Sequence, residues 1–223
     1  LIANSKVYDV ASNTPITFAP NLSSKLENDV FLKREDMQPI FSFKIRGAYN
    51  KIVHLSAQQK KRGVLTASAG NHAQGVANAC KKLKIPCLIF MPVTTPEIKV
   101  RAVKRLGAKV QLFGDNFDQA SKKAMQIAKE RKCEFIQAFD DPMTIAGQGT
   151  VGKEILDADQ SLDVIFVPVG GGGLLAGVSA WAAQTQSKTK IYGVEVEDSA
   201  CLVEAIKANK RVRLREVGLF ADG

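Results

Sequence analysis

Four consecutive glycines, Gly170 to Gly173, most constrain what this chain can become. They follow residues 163–169, a short apolar run rich in branched side chains that reads as a buried strand. They precede residues 174–184, whose composition favours a helix. Strand, glycine loop and helix in that order aim unpaired backbone N–H groups at one point. Without a Cβ, the backbone can come close to whatever sits there. The first expectation is therefore a bound anion, a phosphate or pyrophosphate. The plainer reading is a loop that only needs positive φ angles, but four glycines exceed what one turn requires.

The rest of the chain places that loop in an α/β protein. Strand patterns at 64–67, 87–91, 109–113, 134–137 and 190–196 alternate with helix patterns at 71–83, 96–106, 117–132, 148–157 and 200–207. Such alternation means open, mostly parallel twisted sheets. Before it, residues 1–28 read as irregular, 14–16 as a turn into an extended piece and 30–34 as a strand. Ser42 can cap a helix running to about Leu55, with Lys44 in its first turn. The loop at 139–144 is the best candidate for a crossing between two domains.

Composition excludes several classes. The net charge is +9, but the basic residues fall on predicted helices, as with Lys99, Arg101, Lys104 and Arg105, with no aromatics between them. That pattern is a solvated helix face and not a nucleic-acid surface. No apolar run is long enough to span a membrane, and no signal peptide is present, so a cytoplasmic protein is expected. Cys80, Cys87, Cys133 and Cys201 form no Cys-x-x-Cys pair, which argues for reduced thiols and against zinc.

Three stretches carry chemistry. Lys44 lies among Phe41, Phe43 and Ile45 in a first helical turn, where the macrodipole disfavours a cation. A desolvated lysine there has a lowered pKa and can act as a nucleophile or base, although such a lysine can also extend its end into water. The run TASAGNH at 66–72 joins a strand to a helix, and Ser68, Gly70 and Asn71 could hold a second anion such as a carboxylate. An ordinary helix cap is the alternative, and His72 reads as structural or orienting. The glycine loop has a competing reading: Gly171, Gly173 and Ala176 satisfy a dinucleotide fingerprint, with Glu195 at a distance suited to a ribose. A nicotinamide-linked oxidoreductase therefore stays open on this segment alone.

Taken together, SFKIRGA at 42–48, SAGNHAQG at 68–75, AGQGT at 146–150 and GGGGL at 170–174 resemble the signatures of fold-type II pyridoxal-phosphate enzymes. Threonine deaminases (threonine ammonia-lyases) are the best-matching branch. The resemblance runs from about Asn13 to Gly223, and EVEDSACL at 195–202 with VGLFADG at 217–223 looks more like the biosynthetic type. It implies a two-lobed, tryptophan synthase β-like architecture. Residues 36–138 would form a small inserted lobe, and 1–35 and 139–223 parts of a large one. It also implies deamination of L-threonine, and of L-serine, to 2-oxobutanoate (pyruvate) and ammonia, the first step toward isoleucine. Serine dehydratase, serine racemase and threonine synthase are the nearest alternatives.

The resemblance also implies residue roles. Lys44 would hold pyridoxal 5'-phosphate as a Schiff base and, once displaced by substrate, take the Cα proton. Phe43 would lie near the cofactor ring and Asn71 would bond its hydroxyl. Gly170, Gly171, Gly172, Gly173 and Leu174 would bind the phosphate, so Gly171→Asp is expected to weaken cofactor binding more than folding. Ser68, Ala69, Gly70, Asn71 and His72 would frame the substrate carboxylate. Related racemases carry a hydroxyl where Ala69 stands, which favours elimination here. Ser199 and Cys201 stand where a relative could bind a divalent cation near Glu195, so no metal is expected. The family's Ser or Thr near the pyridine nitrogen falls beyond Gly223, so the large lobe is expected to be incomplete at its C-terminus and this stretch inactive by itself. A homo-oligomer, dimer or tetramer, is implied for the complete protein.

Overall fold

The computed structural model describes residues 1–214 and 217–218, so the 219–223 part of the second branch motif lies outside the described residues. It opens with β1 (Ile16–Phe18), α1 (Pro20–Leu26) and β2 (Phe31–Lys33), the two strands pairing antiparallel. Then come α2 (Lys44–Val53), α3 (Ala57–Arg62), β3 (Val64–Ala67), α4 (Asn71–Leu83), β4 (Cys87–Met91), α5 (Glu97–Arg105), β5 (Lys109–Leu112), α6 (Phe117–Arg131) and β6 (Glu134–Phe135). α7 (Pro142–Ala158), β7 (Val164–Pro168), α8 (Gly173–Gln184), β8 (Lys190–Val194) and α9 (Cys201–Ala208) complete the order. A four-stranded parallel sheet runs β5-β4-β3-β6, and β7 pairs with β8 in a separate parallel sheet. The expected α/β architecture with mostly parallel sheets is what forms, each parallel crossover being long enough to hold a helix.

Side-chain alternation sets the layers. Along β4, Ile89 and Met91 face Ala73, Ala77, Val100 and Val103 of α4 and α5, while Phe90 faces the Ala120, Ala124 and Ala128 stripe of α6. The four-residue spacing of those alanines lets α6 lie close to the sheet. On β7, Ile165 and Val167 face Val151, Ile155 and Val178 of α7 and α8. Phe166 points the other way, 70% exposed, stacked on Tyr192 with ring centroids 5.7 Å apart.

α2 joins these layers by packing on both α4 and α7. It crosses α7 backbone to backbone: a Cβ on Gly47 would lie 2.8 Å from the Thr144 carbonyl oxygen, and one on Gly147 only 2.6 Å from that of Arg46. Beside the crossing, Arg46 is fully buried and donates to Glu35 at 2.7 Å and to Glu154 at 2.5 and 2.9 Å. Lys33 lies 2.6 Å from Glu154, so buried Glu154 and half-buried Glu35 meet two cations. Burial opposes the Arg46 charge, but the two carboxylates outweigh it and raise its pKa. This network fastens β2 and the N-terminal segment to α2 and α7.

The structure corrects several element boundaries. α1 and α3 fall where no helix was expected; α1 is a short polar turn begun by Pro20, and α3 is held by a capping box between Ser56 and Gln59. α7 begins at Pro142 and not at 148, because Asp141 accepts from the N–H groups of Met143 (2.9 Å) and Thr144 (3.0 Å) and Pro142 occupies the first position. Its glycines lower helix propensity yet are required at the crossings. α2 starts at Lys44, whose N–H donates to Ser42 Oγ at 3.3 Å.

Candidate active site

The segment 136–139, leaving β6, gathers the three marked stretches. The Ile136 carbonyl accepts from Thr66 Oγ1 at 2.9 Å and from His72 Nε2 at 3.1 Å. The Ala138 carbonyl accepts from Lys44 Nζ at 3.2 Å and from Gln148 Nε2 at 3.1 Å. The ring of Phe139 lies against Gly171, and its backbone against Gly173. The sequence places only a strand end and the start of a domain crossing here, because a backbone carbonyl leaves no mark in the residue types.

Lys44 is half-buried in the first turn of α2, its Nζ 5.2 Å from the Phe43 ring centroid. Burial pulls its amine down to about 8 from the ordinary 10.5. His72 is buried in the first turn of α4. Burial, then the Lys44 charge, pulls its pKa to about 4, so the ring is neutral near pH 7. A carbonyl can only accept, so Nε2 carries the ring proton, and buried Nδ1 is left without a partner.

Two helix N-termini open nearby without side-chain caps. α4 starts after Gly70, whose N–H donates to Ser68 Oγ at 3.2 Å, while Asn71 is exposed and Ala69 half-buried. α8 starts after Gly172, which has φ +81°, a left-handed conformation that glycine adopts without strain. A Cβ on Gly170 or Gly172 would meet nothing within 4 Å, whereas Gly171 and Gly173 are packed from below. The half-buried Leu174 follows in the first turn. The loop thus leaves room in front of uncapped N–H groups, which suits a phosphate.

The dinucleotide reading fails on Glu195. Its carboxylate accepts from the N–H groups of Leu202 and Val203, both at 2.9 Å, and from Cys201 Sγ at 3.5 Å. It caps α9 and is not available to a ribose. Cys201 Sγ also donates to the Gly170 carbonyl at 3.2 Å, and Ser199 Oγ to Asp198 at 3.2 Å. Among the described residues, no three His, Cys, Asp or Glu side chains gather as a metal site.

A desolvated amine and an uncapped helix start with open space before it, on a parallel α/β frame, form the arrangement that a phosphorylated carbonyl cofactor needs. The chain belongs to the pyridoxal-phosphate dependent enzyme family, whose pattern matches residues 7–223. It is 53% identical over 222 residues to a biosynthetic L-threonine dehydratase of Pasteurella multocida, covering all of this chain and 43% of that protein. It is 52% identical to a chloroplastic biosynthetic threonine dehydratase of Arabidopsis thaliana, covering 38% of it. The chain therefore spans less than half the length of these curated relatives. Among solved structures, the processed form of threonine deaminase isoform 2 from Solanum lycopersicum superposes with a TM-score of 0.95 at 46% identity, over 97% of this chain and 60% of that one. A maize serine racemase superposes with a TM-score of 0.89 at 31% identity, over 96% and 65%. The residues present fit the family's cofactor: Gly170 and Gly172 leave open space before an uncapped helix start, with room for a phosphate, and Lys44 carries a desolvated amine.

Proposed function

We propose that the protein carrying this chain is a pyridoxal-phosphate-dependent threonine ammonia-lyase. It would convert L-threonine, and L-serine, to 2-oxobutanoate (pyruvate) and ammonia, the first step toward isoleucine. The observation that carries this reading is the desolvated Lys44 amine on the Ala138 carbonyl, one peptide from the Phe139 ring that supports the glycine loop. The identities to biosynthetic threonine dehydratases support the choice of substrate.

In this reading, Lys44 holds the cofactor, Phe43 lies beside its ring and Asn71 bonds its hydroxyl. N–H groups of residues 170–174 hold its phosphate, and residues 68–72 frame the substrate carboxylate. When bound, the cofactor supplies an electron sink for the pair left at Cα. Lys44 Nζ, with a pKa of about 8, is matched to taking the Cα proton near neutral pH. The β-hydroxyl leaves as water, its added proton balanced by the one that Lys44 took from Cα, and hydrolysis of the resulting enamine yields the oxo acid and ammonia. His72, neutral and turned to Ile136, orients the start of α4 and moves no proton. The two lobes, split at residues 36–138, a homodimer or tetramer and a cytoplasmic location belong to the same proposal; no described helix is long and apolar enough to cross a membrane.

The test is to add pyridoxal phosphate to the intact protein, reduce with borohydride and map the adduct while assaying 2-oxobutanoate. An adduct on Lys44 with threonine turnover is expected; an adduct on another lysine, or none, overturns the reading. Serine racemase is the second reading, favoured by the maize likeness. Chiral chromatography of serine incubated with the protein separates it, since D-serine forming faster than pyruvate would replace the proposal.

A further inference from the structure

Gln148 is 1% exposed on α7. Its Nε2 shares the Ala138 carbonyl with Lys44 Nζ, at 3.1 and 3.2 Å. Its Oε1 is buried without a partner and lies 2.7 Å from where a Cβ on Gly173 would stand. Its Cγ lies 2.9 Å from where a Cβ on Gly47 would stand. The side chain thus threads between α2 and the first residue of α8, and the chain has glycine at both places where it passes. A buried amide with half its capacity unused is expensive for packing alone, where an apolar side chain of that size would serve better.

We propose that Gln148 is a positioning residue that sets the Lys44 amine and the glycine loop at a fixed spacing. One end holds the Ala138 carbonyl in reach of Nζ. The other stands against Gly173, where α8 begins. The inference rests on Lys44 as the working amine. The groups facing Nζ are the Phe43 ring on α2, His72 on α4 and the Ala138 carbonyl, and the neutral His72 adds no charge near pH 7. Without the amide the Ala138 carbonyl is no longer held in reach of Nζ, so the ammonium form of Lys44 loses its hydrogen-bond partner.

The experiment uses the intact protein without cofactor. Lys44 acylation is followed against pH by peptide mass spectrometry, in wild type and in Gln148→Met, with melting temperatures recorded. The midpoint is expected to fall by about half a pH unit or more in the variant. A folded variant with an unchanged or raised midpoint overturns the proposal, because a merely structural role lowers the melting temperature without lowering that titration. Should Gln148→Met not fold, the wild type decides: the Gln148 side-chain amide resonance, followed by NMR, is expected to titrate with the Lys44 midpoint. A resonance flat through that range overturns the proposal. Borohydride trapping of pyridoxal phosphate on Lys44 reports separately on the function, so the two failures are distinguishable.

Discussion

The ring of Phe139 fills the space beside Gly171, so that a Cβ there would lie 2.2 Å from ring atoms Cγ and Cδ1. One residue earlier, Gly170 faces nothing within 4 Å. The four glycines therefore divide their work. Gly171 and Gly173 permit close packing on Phe139 and Gln148, while Gly170 and Gly172 leave room for a ligand. This contact adds a folding cost to Gly171→Asp that the sequence alone does not reveal.

Gly170→Asp is expected to weaken pyridoxal phosphate binding about tenfold or more, by setting a carboxylate beside the phosphate and disturbing charge-assisted N–H bonds worth roughly 1.5–3 kcal/mol each. Its melting temperature should stay near that of the wild type. Gly171→Asp should instead lose roughly 1–3 kcal/mol of stability through overpacking. Fluorescence titration with the cofactor and thermal melts of the apo proteins check both. Equal melting losses in the two variants would contradict this division of the loop.

Lys44→Met is expected to abolish turnover and to stabilise the apo protein at pH 7. The folded amine has a pKa of about 8 against 10.5 when unfolded. Between those values the unfolded chain holds the extra proton, so stability rises with pH there. Below about 8 the full penalty of burying the ammonium is present, on the order of 1–3 kcal/mol. Removing the charge relieves it. Urea melts at pH 7, with 2-oxobutanoate assays alongside, are the measurement, and a destabilised Met variant would show that the amine is well solvated.

How much of this was legible follows from what each residue type reveals. β4 and α6 were readable because apolar periodicity records burial directly. Lys44, the run 68–72 and the glycine loop could be singled out because charge and glycine are conspicuous in apolar surroundings. α7 was read short because 139–144 reads as a loop and Gly147 as a helix breaker, when Gly147 is a contact point with α2. The shared Ala138 carbonyl was invisible, since any residue supplies one. Glu195 misled because a carboxylate at a strand end suits a ribose and a helix N-terminus equally, and only the N–H groups of Leu202 and Val203 decide.

His72 makes acid stability a one-proton measurement. Its folded pKa of about 4, against 6.5 unfolded, means the unfolded chain binds the proton first as pH falls. Its contribution is fully present above 6.5 and is lost as pH drops toward 4, amounting to roughly 3 kcal/mol across the window. His72→Gln should show a shallower decline of unfolding free energy between those values, by close to one proton. Matching slopes for variant and wild type would mean that His72 is solvated and not buried beside Ile136.

Gly147→Ala sets two known effects against each other. Alanine favours a helix over glycine by about 1 kcal/mol at an open position, which alone predicts a more stable protein. At Gly147, however, the new Cβ would stand 2.6 Å from the Arg46 carbonyl oxygen and 2.8 Å from Asn50 Cβ. Both belong to the fixed frame of α2, not to the free end of a flexible side chain, so relief requires the two helices to separate. Separation strains the buried Arg46 bonds to Glu35 and Glu154 and shifts Lys44, two residues away, relative to Ala138. Overpacking of this kind destabilises by roughly 1–3 kcal/mol, which outweighs the propensity gain. The expected variant is less stable in urea and turns over threonine more slowly even when saturated with cofactor. A Gly147→Ala protein more stable than wild type would mean that α2 and α7 do not meet backbone to backbone.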